Sequence, residues 1–198
     1  MNVYDFDETV FVMDSSYCFI LYCLRHYPRA VSGIFPASLW QFICYLREGK
    51  ENAKKLKEAL FSFLNRIESV DQIIESFWDS NFDRIEPWYL KQKKDDDVII
   101  SASPEFLLRP ATERLGVHLI GTRMDPYSGK IKGRNCHDEE KVRRFLELYS
   151  EDEIDAFYSD SLSDSPMAAL AKRAYLVTDH QPAPWPSEVS NRRKARPR

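Results

Sequence analysis

The sequence predicts an α/β fold, a doubly wound parallel sheet with a helical cap inserted after the first strand. Three observations lead there. Short apolar runs that end in polar residues recur at Asn2–Phe6, Val98–Ser101, Val117–Gly121, Ile154–Tyr158 and Ala174–Val177. Helical patterns alternate with the later runs, and such alternation builds a parallel sheet with helices on both faces. Between the first two runs, about seventy residues show helical spacing only.

Each element has its own signal. Asn2-Val3-Tyr4-Asp5-Phe6 breaks into Asp7-Glu8-Thr9, as a buried strand ending in a functional loop does. From Asp14 to Glu86 apolar residues fall three and four apart, in Leu56, Leu60, Phe63, Leu64 and again in Val70, Ile73, Ile74, Phe77. These are helices without strands. Val98-Ile99-Ile100-Ser101 is the second strand, and Ser103-Pro104 reads as an N-cap and first-turn pair opening a helix that Pro110 is expected to kink or end. Val117–Gly121 is the third strand. The segment from Thr122 to Arg134, with Pro126-Tyr127-Ser128-Gly129 as its turn, reads as a hairpin-like excursion. Asp138 is placed to cap a helix whose apolar side is Val142, Phe145, Leu146 and Tyr149. Ile154–Tyr158 is the next strand, a helix opens at Ser165-Pro166 and runs through Leu170, and Ala174–Val177 is the last strand. From Gln181 to Arg198 the chain is proline-rich, ends in Arg-Arg-Lys-Ala-Arg-Pro-Arg and lacks periodicity, so a disordered tail is expected. Residues 1–13 and 87–180 thus form a discontinuous Rossmann-like core, and residues 14–86 form the cap.

Composition narrows the class of function. A chain of 198 residues with 43% apolar content can bury a core. Its 28 basic and 31 acidic residues leave a net charge of -3, so no broad basic field awaits a nucleic-acid backbone. A small phosphorylated or otherwise soluble partner, and no nucleic acid, is the expectation. Cys18, Cys23, Cys44 and Cys136 match neither a zinc pair nor a redox Cys-x-x-Cys and read as free thiols that pack in a core. Asp5 and Asp7 stand where a signal peptide needs a basic region, so a cytoplasmic location is expected. The apolar stretches Tyr17–Leu24 and Ala30–Leu46, with Trp40 and Phe42, fall short of the roughly twenty residues that span a bilayer, and Gly33 and Pro36 interrupt the second. They read as buried cap core, with membrane-surface or dimer contact as the alternative. The expected state is a monomer or homodimer.

Ligands of an open parallel sheet bind at the carboxyl ends of its strands, and the polar outliers here fall at such ends. Asp5 and Asp7 follow the first strand, Ser101 closes the second, and Asp160 and Asp164 follow the strand ending at Tyr158. Lys141 stands near a helix start between them. Crowded carboxylates need a hard cation to stay ionised, and magnesium takes oxygen ligands and phosphate oxygens alike. A lysine and a hydroxyl then hold the remaining phosphate charge. Two carboxylates two residues apart can divide the work, one attacking phosphorus and one handling the proton. A calcium loop does not suit the same run, because Val10 stands where an EF-hand needs glycine. Lys130 and Lys132 read as solvated residues of the excursion, and His118 and His137 as structural or exposed.

These residues resemble the ordered motifs of the haloacid dehalogenase superfamily of phosphatases, spread over most of the chain. Asp5-Phe6-Asp7-Glu8-Thr9 matches the first motif, Val98-Ile99-Ile100-Ser101 the second, Lys141 the lysine motif, and Ser159-Asp160-Ser161-Leu162-Ser163-Asp164 the last. The resemblance implies Asp5 as nucleophile and Asp7 as general acid/base, with Ser101, Ala102 and Lys141 binding phosphate. It also implies magnesium held by Asp5, Asp160 and the Asp7 carbonyl, with Asp164 orienting that shell. Within the superfamily the chain looks like the phosphoserine-phosphatase-like branch, subfamily IB with a helical C1 cap, which a bacterial phosphatidylglycerophosphate phosphatase shares. True phosphoserine phosphatases usually carry Ser-Gly-Gly where this chain has Ser101-Ala102-Ser103, and glutamate where it has Asp14. Those departures point away from phosphoserine itself. Asp14, with Arg25, Arg29 and Arg47 behind it, is the candidate for recognising the leaving group. The expected activity is magnesium-dependent phosphomonoester hydrolysis of a small metabolite through an aspartyl-phosphate. A lipid or glycerol phosphate, transfer to an alcohol, and a non-catalytic phosphate-binding module are the alternatives.

Overall fold

A computed structural model describes residues 1–32 and 53–186. Trp40, Phe42, Cys44 and Arg47 lie outside the described residues, as does the terminal basic run. Six strands form one sheet in the order β3-β2-β1-β4-β5-β6. They are β1 (Asn2–Tyr4), β2 (Val98–Pro104), β3 (His118–Thr122), β4 (Ala156–Ser159), β5 (Arg173–Thr178) and β6 (Gln181–Pro184). The first five pair in parallel, with β1 central between β2 and β4. Strand order reverses on either side of β1, so the carboxyl ends of β1, β2 and β4 open into the crevice where such sheets bind ligands.

The insertion after β1 is helical throughout its described part. It comprises α1 (Ser15–His26), α2 (Pro28–Val31), α3 (Ala53–Phe61) and α4 (Val70–Asp79). The chain leaves and re-enters the core side by side: Val12 N donates to Arg84 O at 3.2 Å, and Glu86 N to Val10 O at 2.8 Å. Then come α5 (Pro87–Gln92), α6 (Glu105–Leu115), α7 (Glu139–Leu146) and α8 (Ser165–Ala168). Val70, Ile73, Ile74, Phe77 and Trp78 share the buried stripe of α4, as their spacing requires. Trp78 is fully buried, meets Phe6 and Phe11 edge to face, and donates Nε1 to Leu107 O at 2.6 Å. One apolar cluster therefore runs from Tyr4 and Phe6 through Phe19, Phe61 and Phe77 to Leu107. Insertion and sheet share their interior.

Four expectations are corrected. Residues 181–184 are not tail: β6 pairs antiparallel with β5, so the sheet is mixed at that edge. Pro110 does not end the helix holding it, since α6 continues to Leu115 and stops at Gly116, whose φ of 68° makes a left-handed cap. The Ser103-Pro104 pair does not cap that helix with a side chain. Pro104 takes the cap position at φ -62° and ψ 133°, and the Ser103 hydroxyl turns to Asp7 instead. Asp138 precedes α7 but makes no side-chain cap bond and lies 3.1 Å from His137, while Leu146 is exposed. The segment after β3 does turn back, with Met124 bridging Ile131. Gly129 lets it lie against α3, because a Cβ there would meet Phe61 O at 2.6 Å.

Candidate active site

At the end of β1 the main chain curls tightly, and the Phe6 carbonyl accepts from the amides of Thr9, Val10 and Phe11. Glu8 sits in this curl at φ 55°, a left-handed conformation that a non-glycine residue rarely adopts outside functional turns. The curl sends Asp5 and Asp7 toward a cavity of about 190 Å³, which Ser101, Ala102, Lys141, Asp160 and Asp164 also line. Asp14, Glu8 and His137 stand at the same wall. All the residues assigned to the site from sequence thus meet in one place, from the ends of β1, β2 and β4 and the starts of α1 and α7.

Lys141 is the hub. Its ammonium lies 3.0 Å from Asp5 Oδ1 and 2.6 Å from Asp164 Oδ2, and all but 1% of the residue is buried. Burial works against its charge, yet Asp5 and Asp164 more than compensate, so it stays protonated well above the usual lysine range. Asp5 Oδ1 also accepts from Phe6 N at 2.8 Å, which fixes the rotation of the carboxylate. Burial pushes the Asp5 carboxyl well above its ordinary range, Lys141 pulls the other way, and the neighbouring carboxylates add to the rise. Asp160 rises for the same first reason, burial. Thr9, quoted in the first motif without a role, supplies one: its Oγ1 accepts from Asp160 N at 2.9 Å and so joins the two motif loops.

Asp7 is held differently. Its Oδ1 accepts from Ser15 N at 2.7 Å and its Oδ2 from Ser103 Oγ at 2.5 Å. Burial, then the Asp14 charge, raise its carboxyl to about 6, while the bonds from Ser103 and Ser15 restrain the rise. A carboxyl poised there exchanges its proton near neutrality. Ser101 Oγ accepts from Ser103 N at 3.0 Å, in the bulged end of β2 where register shifts between Ile100 and Pro104. Asp14 caps α1, accepting from Tyr17 N at 2.7 Å, and lines the cavity as well. Arg25 instead lines a separate groove on the cap with Met13 and Leu21. Lys130 and Lys132 pair with Glu58 and Asp125 at the surface, and His118 lies 3.0 Å from the Tyr149 hydroxyl.

The donor set suits a hard divalent cation. Among the described residues no three His, Cys, Asp or Glu side chains form a ligand cluster, and the implied set needs only two carboxylates, Asp5 and Asp160, with a main-chain carbonyl. Both carboxylates line a cavity where burial disfavours their charge, and Asp164 Oδ1 is buried without a hydrogen-bond partner among the described residues. Oxygen donors with uncompensated negative charge are what magnesium or a similar ion takes. Sequence reasoning missed Ser103, Ser15 and Lys57. Only a folded chain shows that the first two hold Asp7 and that Lys57, on α3, reaches the Ala102 carbonyl.

A mostly parallel sheet with this strand order, carrying a lysine-bridged carboxylate cluster at its crevice, fits a hydrolytic α/β enzyme with a helical insertion after its first strand. The chain belongs to the haloacid dehalogenase-like hydrolase family, whose model matches residues 3–169. It is similar to Protein CicA of Caulobacter vibrioides, 31% identical over 201 residues, covering 91% of this chain and 87% of the relative. Its fold is similar to that of a Bordetella pertussis Tohama I protein described as of unknown function, with a TM-score of 0.74 at 20% identity, covering 98% of this chain and 95% of the other. A phosphoserine phosphatase solved as a phospho-aspartyl intermediate analogue shares the fold with a TM-score of 0.54 at 16% identity, covering 88% and 84% of the two chains. Among the described residues no helix is long and apolar enough to cross a membrane.

Proposed function

We propose that the protein is a magnesium-dependent phosphomonoester hydrolase that works through a phospho-Asp5 intermediate. The observation that carries this reading is the Lys141 ammonium bridging Asp5 and Asp164 at 3.0 and 2.6 Å, with Asp7 beside them on its own separate hydrogen bonds. The two carboxylates have different supports and therefore different roles. Asp5, fixed by Lys141 and Phe6 N, attacks phosphorus, and the bond from phosphorus to the leaving oxygen breaks. Asp7, protonated below about 6, gives its proton to that oxygen. Water then attacks the phospho-Asp5, Asp7 takes the proton it sheds, and phosphate leaves with Asp5 restored. Lys141 and the Ser101 hydroxyl hold the phosphoryl oxygens through both steps. Asp5, Asp160 and the Asp7 carbonyl would hold magnesium, which when bound neutralises the charge gathered around the transferring group.

A polar cavity of about 190 Å³ favours a small phosphorylated metabolite over a lipid phosphate. Asp14, at its rim on the first turn of the cap, is placed to meet the leaving group. The test is Asp5→Asn. Turnover of an aryl phosphate with magnesium should vanish while the circular dichroism spectrum stays unchanged, and undiminished turnover would sink the mechanism. Product analysis with added alcohols separates hydrolysis from phosphoryl transfer.

A further inference from the structure

Helix α3 of the insertion reaches across to the core with three side chains. Lys54 Nζ donates to Gly133 O at 2.8 Å, and Glu58 accepts from Ile131 N at 3.0 Å and pairs with Lys130 at 3.3 Å. Both of these contacts lie on the excursion after β3. Lys57 goes deeper. Its ammonium donates to the Ala102 carbonyl at 2.8 Å and to Asn135 Oδ1 at 3.1 Å, both neutral oxygens. Burial pushes this lysine below its ordinary range, with Asp7 and Asp14 pulling the other way. A partly desolvated cation without a carboxylate partner among the described residues is not the cheapest way to join two surfaces.

What it touches gives it a use. The Ala102 carbonyl belongs to the same peptide group as the Ser103 N–H, and that N–H donates to Ser101 Oγ at 3.0 Å. A cation on the carbonyl end polarises the peptide and strengthens the bond its N–H makes at the other end. Ser101 Oγ, accepting from Ser103, keeps its own proton for the cavity. The same ammonium also reaches the approach to Lys141: Asn135 Oδ1 lies 2.9 Å from Thr122 Oγ1, which accepts from Cys136 N at 2.9 Å.

We infer that Lys57 is a positioning residue. From α3, it aligns the Ser101 hydroxyl for phosphate through the Ala102–Ser103 peptide, whose carbonyl also accepts from Thr122 Oγ1 at 2.6 Å, so that the peptide is fully polarised only when α3 is seated. This rests on the phosphohydrolase reading above. It also assigns the cap a part in phosphate binding besides any contact with the leaving group.

The experiment is a mutant cycle on magnesium-dependent turnover of an aryl phosphate, with hydrogen exchange measured on the same proteins. Lys57→Met should lower kcat/KM by about ten-fold or more, and Lys57→Arg, which keeps the charge, should recover most of it. In a Ser101→Ala background Lys57→Met should cost less than about two-fold, because the hydroxyl it serves is gone. A folded Lys57→Met enzyme within two-fold of the parent, or an undiminished effect without Ser101, would overturn the inference. Should Lys57→Met not fold, Lys57→Gln replaces it under the same thresholds. If the parent hydrolyses no phosphoester, the functional reading fails on its own. Exchange at the Ser103 and Cys136 amides then decides about Lys57: faster exchange in Lys57→Met supports the coupling, and unchanged exchange refutes it.

Discussion

Asp5 and Asp7 are two residues apart, and their environments separate their chemistry. Asp5 faces the Lys141 ammonium, whereas Asp7 is held by the Ser15 amide and the Ser103 hydroxyl and has a carboxyl raised to about 6. The Ser103 hydroxyl favours the charged form of Asp7, and its loss should therefore raise that carboxyl further. Ser103→Ala is expected to move both limbs of the kcat against pH profile upward. Protonated Asp7 survives to higher pH for leaving-group departure, and ionised Asp7 appears only at higher pH for water attack. A profile that stays in place or moves down would remove Asp7 from the proton transfers. Asp5, Asp7, Ser101, Lys141, Asp160 and Asp164 were legible in the sequence because each closes a strand or opens a helix in a recognisable run. Ser103 was not, since a serine before proline signals a helix cap as strongly as a ligand, and its partner lies ninety-six residues away. Lys57 was one lysine among several on an amphipathic helix, and nothing local marks a contact made across forty-five residues.

At the scale of elements, the excursion after β3 and helix α3 depend on each other. Gly129 approaches the last residue of α3 so closely that a methyl group would lie 2.6 Å from the Phe61 carbonyl oxygen and 2.7 Å from its carbon, both backbone atoms that cannot swing aside. Gly116 offers an internal comparison, with nearly the same φ, 68° against 67°, and nothing within 4 Å of its virtual Cβ. Alanine at either site bears the left-handed cost of roughly 1 kcal/mol, so the difference between them isolates the collision. Gly129→Ala should destabilise by at least about 1 kcal/mol more than Gly116→Ala in urea unfolding. It should also reduce activity, because the excursion leads into Asn135 and the loop before Lys141. Equal costs would mean that α3 and the excursion are only loosely apposed. The turn at Pro126–Gly129 was legible as a turn, but its docking on the cap was not, for glycine marks a conformation without naming what comes close.

Over the whole molecule, the parallel order β3-β2-β1-β4-β5 follows from strands alternating with helices, and it places every motif at one edge. The sixth strand escaped the sequence because its prolines read as disorder. Their position explains how they fit. Trp185 N donates to Ala174 O at 3.0 Å, so along β6 the alternate positions 181, 183 and 185 face β5. Pro182 and Pro184 occupy the outward positions and have no N–H to offer. Among the described residues β6 is the last strand of the sheet, and its outer side presents carbonyls without donors at positions 182 and 184, which disfavours pairing by another strand. Replacing both prolines by threonine restores two outward donors on a residue that favours strands. The Pro182→Thr, Pro184→Thr protein is expected to keep its fold and its turnover at low concentration, since the site lies at the carboxyl ends of the central strands β1, β2 and β4 and not on the outer face of this edge. It should self-associate as concentration rises, read as a growing scattering mass beside an unchanged parent. Equal scattering from the two proteins across that range would show that the prolines do not guard the edge.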